Sequence, residues 1–133
     1  MLIFDIFKRK RKEQDDDELR WDKMWELWEN DEAASPYAEL MHYEAEINNG
    51  GHDQYFFNVS GTGDLEKEMS RLYSLLPAKL SRNLKKAYEA YLEMNDDNED
   101  DITDILDSCD DVFYDNEELI TDILRKYAAT LEL

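Results

Sequence analysis

DNEDDITDILDSCDDVF, residues 97–113, carries two interleaved patterns. Ile102, Ile105, Leu106, Cys109 and Phe113 recur at spacings of mostly three and four, the period of one helical face. Asp97, Asp100, Asp104, Asp107 and Asp111 recur at spacings of three and four but out of phase with them. At about 100° per residue the two sets point in nearly opposite directions. The stretch therefore predicts an amphipathic helix over 99–113 that buries its apolar stripe and displays its carboxylates.

The same period runs outward from it. Trp21, Met24, Trp25 and Trp28 mark one face of a first helix over about 16–32. Ser35-Pro36 reads as an N-cap followed by proline at the first helical position. A second helix follows, with Tyr37, Leu40, Met41, Ala45 and Ile47 along it. Asn49-Gly50-Gly51 should end that helix in a left-handed cap. Residues 52–58, HDQYFFN, then make one helical turn folded back on the core. Gly61-Thr62-Gly63-Asp64 opens a third helix with Leu65, Met69, Leu72 and Leu76 inward. Pro77 starts a fourth, burying Leu80, Leu84, Ala87, Tyr88 and Tyr91. After the helix over 99–113, a last one over 116–131 is traced by Leu119, Ile120, Ile123, Leu124, Tyr127 and Leu131. The expected fold is all-α: one compact bundle-like domain of about six helices over residues 16–133, behind a basic and apolar arm at residues 1–15.

Composition agrees. A chain of 133 residues suits one domain. Its 42% apolar and 12% aromatic content can build a core despite 37% charged residues. Four glycines and two prolines are too few for a turn-rich β fold. The lone cysteine, Cys109, excludes an internal disulfide and points to a reducing, cytoplasmic setting.

Thirty-four acidic against fifteen basic residues leave a net charge of −19. Direct nucleic-acid binding needs a basic footprint and is not expected. The partners such a chain suits are cationic. Only residues 1–12, MLIFDIFKRKRK, are basic, with five cations and one anion. Their apolar run is short, contains Asp5 and precedes the cations, unlike a signal peptide. No stretch approaches the roughly 18–20 apolar residues of a membrane span, so stable anchoring is not expected. Leu2, Ile3, Phe4, Ile6 and Phe7 could tether the arm to an anionic surface, but a tail packed on the acidic body explains them more simply.

Chemistry-bearing patterns are scarce. Metalloprotease, zinc-finger, Walker and nucleophile-elbow spacings are absent. Neither His42 nor His52 has a partner at metal-binding spacing, and Cys109 lies on an apolar stripe, where it reads as buried filler. Ser60-Gly61-Thr62-Gly63 lacks the lysine of a phosphate loop. Asp96 to Asp100 alternates oxygen ligands, yet an EF-hand started at Asp96 would place Asp101 and Asp107 where glycine and glutamate belong. No catalytic residue, metal ligand set or cofactor is expected, and an enzyme is not.

The acidic charge is concentrated. Glu93 to Asp122 holds fourteen acidic residues and no basic one. Laid out as one helix, thirty residues would span roughly 45 Å, placing a charge about every 3 Å against one phosphate per about 3.4 Å of a DNA strand. A solvated acidic face would look the same, and from this feature alone it is the simpler reading.

Residues 44–61, EAEINNGGHDQYFFNVSG, resemble the signature of the bacterial DNA-mimic protein 19 family. Glu46, Ile47, Asn49, Gly50, Gly51, Gln54, Phe56, Asn58, Ser60 and Gly61 fit its pattern, with His52 standing where an aromatic is usual. The likeness extends from Trp21 to about Tyr127, through Asp107 to Tyr114, DSCDDVFY. It implies an all-helical fold, a homodimer and no known catalytic activity. The family's named member presents acidic residues as a DNA-like surface to a transcription factor.

The motif also has a purely structural explanation. Gly50 and Gly51 permit positive φ, and the amides of Asn49, Gln54 and Asn58 can satisfy backbone groups at the chain reversal. Tyr55, Phe56 and Phe57 would anchor the turn. Any small-molecule site should sit here, beside Trp25, Trp28 and His52. Three functions thus stay open: an acidic interaction protein, in its sharpest form a DNA mimic that uses Asp97, Asp100, Asp104, Asp107 and Asp111 to bind a cationic DNA-binding protein; an immunity or antitoxin-like protein neutralising a basic toxin; and a ligand-binding domain centred on Asn49–Asn58.

Overall fold

The computed structural model describes the backbone of residues 3–133 and the side chains of residues 15–61 and 63–133. Six helices follow in order: α1 (Ile3–Glu29), α2 (Tyr37–Thr62), α3 (Leu65–Leu75), α4 (Ala78–Leu92), α5 (Glu99–Asp115) and α6 (Glu117–Ala128), with no strand among the described residues. The all-α expectation is met. The backbone of the arm continues α1 from Ile3 onward without a break. The side chains of its apolar and basic residues lie outside the described ones.

One core joins the helices. Met24 of α1, Leu40, Met41, Tyr43, Ile47, Tyr55 and Phe56 of α2, Leu72 of α3, Leu80 and Leu84 of α4, Leu106 and Phe113 of α5, and Ile120 and Leu124 of α6 are all fully buried. Most are positions that the three-and-four spacing selects; on α2, however, Tyr37 and Ala45 are only half-buried and Tyr43 takes the central place. Around Tyr43 the core is aromatic: Tyr55 and Phe113 meet it edge-on with ring centroids 5.1 and 5.5 Å away. α5 packs on α4 and α2, and α1 lies against α6. The α1–α6 seam uses cations of α1 to take up the free carbonyls past the end of α6. Arg20 Nε donates to the Leu131 carbonyl at 3.1 Å, Lys23 Nζ reaches the Glu132 carbonyl, and Arg125 of α6 stacks 4.0 Å over the Trp21 ring.

Local differences from the sequence reading have physical causes. Ser35 does not cap α2. The helix begins at Tyr37, the Ser35-Pro36 peptide is cis, and the Ser35 hydroxyl donates instead to Glu39 at 2.7 Å. Asn49-Gly50-Gly51 does end the first helical run, at a positive-φ glycine as expected, but in an extended conformation and not a left-handed helical cap. The chain breaks only at Gly51 (φ 77°, ψ −176°) and resumes as a second limb, residues 52–62, about three turns rather than one. Gly50 keeps negative φ, so the left-handed requirement falls on Gly51 alone. Asp64, as expected from the GTGD stretch, caps α3 by accepting the Lys67 amide at 3.1 Å.

At the other end of α1, Asp31 takes a left-handed conformation (φ 58°). The Asp31 amide bonds the Trp28 carbonyl at 3.1 Å and the Glu32 amide the Leu27 carbonyl at 2.7 Å, the double bond of a Schellman cap. Glycine is the usual residue at this position; here an aspartate holds it.

Candidate functional site

α5 is the element on which the acidic stripe depends. Ile102, Leu106, Cys109 and Phe113 are buried against α4 and α2. Asp97 in the preceding turn and Asp100, Asp104, Asp107 and Asp111 on the helix are all exposed. Among the described residues none of these five carboxylates takes part in an ion pair. Glu99, Asp100 and Asp101 occupy the first turn, where negative charge complements the helix dipole. The buried side is pinned by polar contacts too: Asn83 of α4 donates to the Cys109 carbonyl at 2.9 Å, and the Tyr114 hydroxyl to the Ile47 carbonyl at 2.8 Å. The stripe therefore rides on a well-fixed helix. It is shorter than one continuous helix from Glu93 to Asp122 would be, because the chain turns at residues 93–98 and again at Asn116. α5 itself spans about 25 Å, and its eight carboxylates fall about every 3 Å along it.

Much of the motif segment folds inward: Gly51, His52, Tyr55 and Phe56 are buried. His52 is fully buried, and its ring connects two elements. Nδ1 lies 2.5 Å from Asp110 Oδ1, and Nε2 lies 2.7 Å from the Tyr43 hydroxyl. A carboxylate can only accept, so Nδ1 carries a proton toward Asp110, while Nε2 shares the second bond with the Tyr43 hydroxyl. The same Asp110 oxygen also takes the His52 backbone amide at 2.9 Å. The backbone donor freed by the break at Gly51 is thus satisfied by α5, not by the amides of Asn49, Gln54 and Asn58. Asn49 is exposed, while Gln54 and Asn58 donate to the Glu46 carboxylate at 3.2 and 2.9 Å. Phe56 is buried as expected, whereas Phe57 is exposed. Cys109 is buried filler whose thiol pKa is raised by that burial, the reverse of an activated nucleophile.

His42 behaves differently from His52. It sits half-buried between Glu68 Oε1 (3.3 Å) and Glu46 Oε1 (3.7 Å), and the Glu68 contact raises its pKa against the opposing effect of burial. Tyr55 donates to the same Glu68 at 2.7 Å, which joins α2 to α3. Burial alone would raise the Glu39 carboxyl, but bonds from Ser35, its own backbone amide and Arg71 hold it low. No group of three or more histidine, cysteine, aspartate or glutamate side chains among the described residues could hold a metal ion. No helix among them is long and apolar enough to cross a membrane.

A family model described as DMP19-like protein matches residues 32–131. The chain belongs to the DMP19-like protein family. The match covers the whole of α2 through α6 and agrees with the resemblance carried by the NNGG stretch. No curated protein and no solved structure matches the chain.

The sequence reading missed Asp110, Glu44 and the environment of His42. Asp110 stands 58 positions from His52, so only the fold brings the two together. It lies within the DSCDDVFY stretch, but it falls between the acidic and apolar stripes and belongs to neither. Of the residues expected around a ligand site at Asn49–Asn58, His52, Tyr55 and Phe56 are buried in the core, while Asn49 and Phe57 are exposed. A cleft of about 550 Å³ does open beside Trp28, but His42 rather than His52 lines it.

Proposed function

We propose that this DMP19-like protein is a non-enzymatic interaction protein whose α5 carboxylates engage a cationic protein, with the DNA-binding face of a regulator as the best-suited partner. The observation that carries this reading is the single face of Asp97, Asp100, Asp104, Asp107 and Asp111, exposed and free of ion pairs among the described residues on a helix fixed by its opposite side. Unpaired carboxylates in water keep their full field for an incoming cation, and complementary charge acts mainly on encounter rate and specificity. The five aspartates of this face stand three or four residues apart, about 4.5–6 Å along the axis, so it is their shared sign on one face and not a phosphate-by-phosphate match that supports the reading. Family membership supports the mimic form of the reading.

The test is a pull-down from native lysate with the full chain as bait, beside a bait in which the five aspartates are asparagine. A partner retained by the first and not the second, eluted by rising salt and displaced by duplex DNA, fits a DNA mimic. A basic toxin that DNA cannot displace would favour the immunity-like alternative. Equal retention on both baits would remove the stripe from the account.

A further inference from the structure

We propose that the outer part of α1, residues 3–12, docks reversibly on an anionic lipid surface, with an apolar helix face at the headgroup boundary and a ring of cations among the headgroups. This does not depend on the function proposed for α5. Packing of α1 on the core begins at Trp21 and Met24. Toward Ile3 the helix is already clear of it. Asp15, Asp17 and Glu18 are exposed, and even the apolar Leu19 is 54% exposed. From Leu19 the backbone continues as helix to Ile3, about 24 Å further. A tail folded back on the acidic body would need a break in that helix, and its backbone has none from Ile3 to Glu29. The helix therefore carries residues 3–12 outward.

Register sorts these residues into two blocks. At about 100° per residue, Ile3, Phe4, Ile6 and Phe7 fall within one half of the helix circumference, and Asp5 falls in the opposite half. Lys8 to Lys12 follow as five consecutive cations. Five exceed the roughly 3.6 residues of a turn, so they take positions all around the helix. An acidic protein surface would answer the cations alone. An anionic bilayer answers both blocks: its headgroup and acyl boundary takes an apolar helix face, and its negative surface potential attracts Lys and Arg. The acidic body does not prevent the approach. Trp21, where core packing starts, lies about 13.5 Å along the helix from Lys12, beyond the roughly 8 Å over which physiological salt screens a charge. Glu13 and Asp15 to Glu18 stand nearer and oppose the surface. With one short apolar block against them, the attachment is weak and reversible, as a single membrane signal is.

Sedimentation of the full chain with vesicles tests this, using phosphatidylcholine alone and phosphatidylcholine with about a third phosphatidylserine, at physiological ionic strength. We expect a fraction of the protein to sediment with the anionic vesicles and almost none with the neutral ones. Raising the salt should release it. Phe4→Ser combined with Phe7→Ser should weaken the partitioning at least about tenfold. Arg9→Gln, Lys10→Gln and Arg11→Gln together should weaken it by at least a similar factor. Both variants should keep the wild-type melting temperature, because the substituted residues precede the packed part of α1. No sedimentation with the anionic vesicles would overturn the proposal. So would unchanged partitioning of the Phe4→Ser, Phe7→Ser variant, which would mark recognition of charge alone and an acidic protein as the occupant. A melting temperature lowered by the same variant would show the arm packed on the body, and would overturn it too.

Discussion

Asp110 of α5 lies where a β-carbon on Gly51 would have to go. A Cβ built on Gly51 would stand 3.0 Å from the Asp110 carboxyl carbon and closer still to one of its oxygens. That carboxylate is already committed to the His52 amide and ring. The glycine, the break in α2 and the polar tie to α5 are therefore one device: Gly51 admits the carboxylate, and the carboxylate holds the chain as it resumes.

Gly51→Ala should consequently destabilise the protein by about 2 kcal/mol or more, combining a backbone conformation restricted to glycine with a displaced Asp110. Gly50→Ala should cost less, since Gly50 keeps negative φ and its obstacle is the Gln54 side chain. Chemical denaturation of the two variants provides the comparison. Equal losses would mean that φ is not what distinguishes the two glycines.

His52→Phe preserves bulk but leaves Tyr43 and Asp110 without their shared partner. A loss of about 2–4 kcal/mol is expected, against about 1 kcal/mol for Tyr43→Phe. Binding through the acidic face should survive in whatever fraction stays folded. A near-neutral His52→Phe variant would show that the buried chain of bonds matters little.

Stability should fall as pH rises through neutrality. Glu44 is buried on α2 with one carboxyl oxygen unpartnered. Burial, and then the charge of Glu117 on α6, push its pKa up to about 7 from an unfolded value near 4.5. A folded-state pKa raised in this way gives stability that is complete below the unfolded value and lost as pH rises through about 7. His42, also raised, acts in the same sense. The Glu44 contribution is on the order of 2–3 kcal/mol at full protonation. Melting temperatures between pH 5 and pH 8, values chosen to bracket the roughly pH 7 transition, should drop in the wild type and much less in Glu44→Gln. Identical pH profiles would place the sensitivity elsewhere.

Much of this architecture was legible in the sequence, because burial in a helix repeats every three to four residues. Met24, Leu72, Leu84, Leu106 and Leu124 all lie inward as their spacing required. The acidic face of α5 was legible for the same reason, since its aspartates keep the complementary phase. What local pattern could not reveal were pairings set by tertiary approach. Asp110 looks like any other aspartate until the break at Gly51 brings His52 against it. Glu44 lies among motif residues but is distinguished only by its burial near Glu117. Ser35-Pro36 has the composition of a helix start, yet the hydroxyl finds Glu39 first. Asp31 shows the converse: a residue that sequence gives no reason to place at positive φ adopts it to complete a cap.

The central claim, that the α5 carboxylates are a binding surface, is tested most directly by association kinetics. The wild type and the variant with asparagine at residues 97, 100, 104, 107 and 111 are compared at low and physiological salt, with the partner retained in the pull-down. Because the five side chains are exposed, their replacement should hardly change melting, or should raise it by relieving repulsion. Association of the wild type should be fast at low salt and fall steeply as salt rises. The variant should associate more slowly and with a flatter salt dependence, while dissociation changes less. Equal association rates for the two proteins at both salt concentrations would contradict the account.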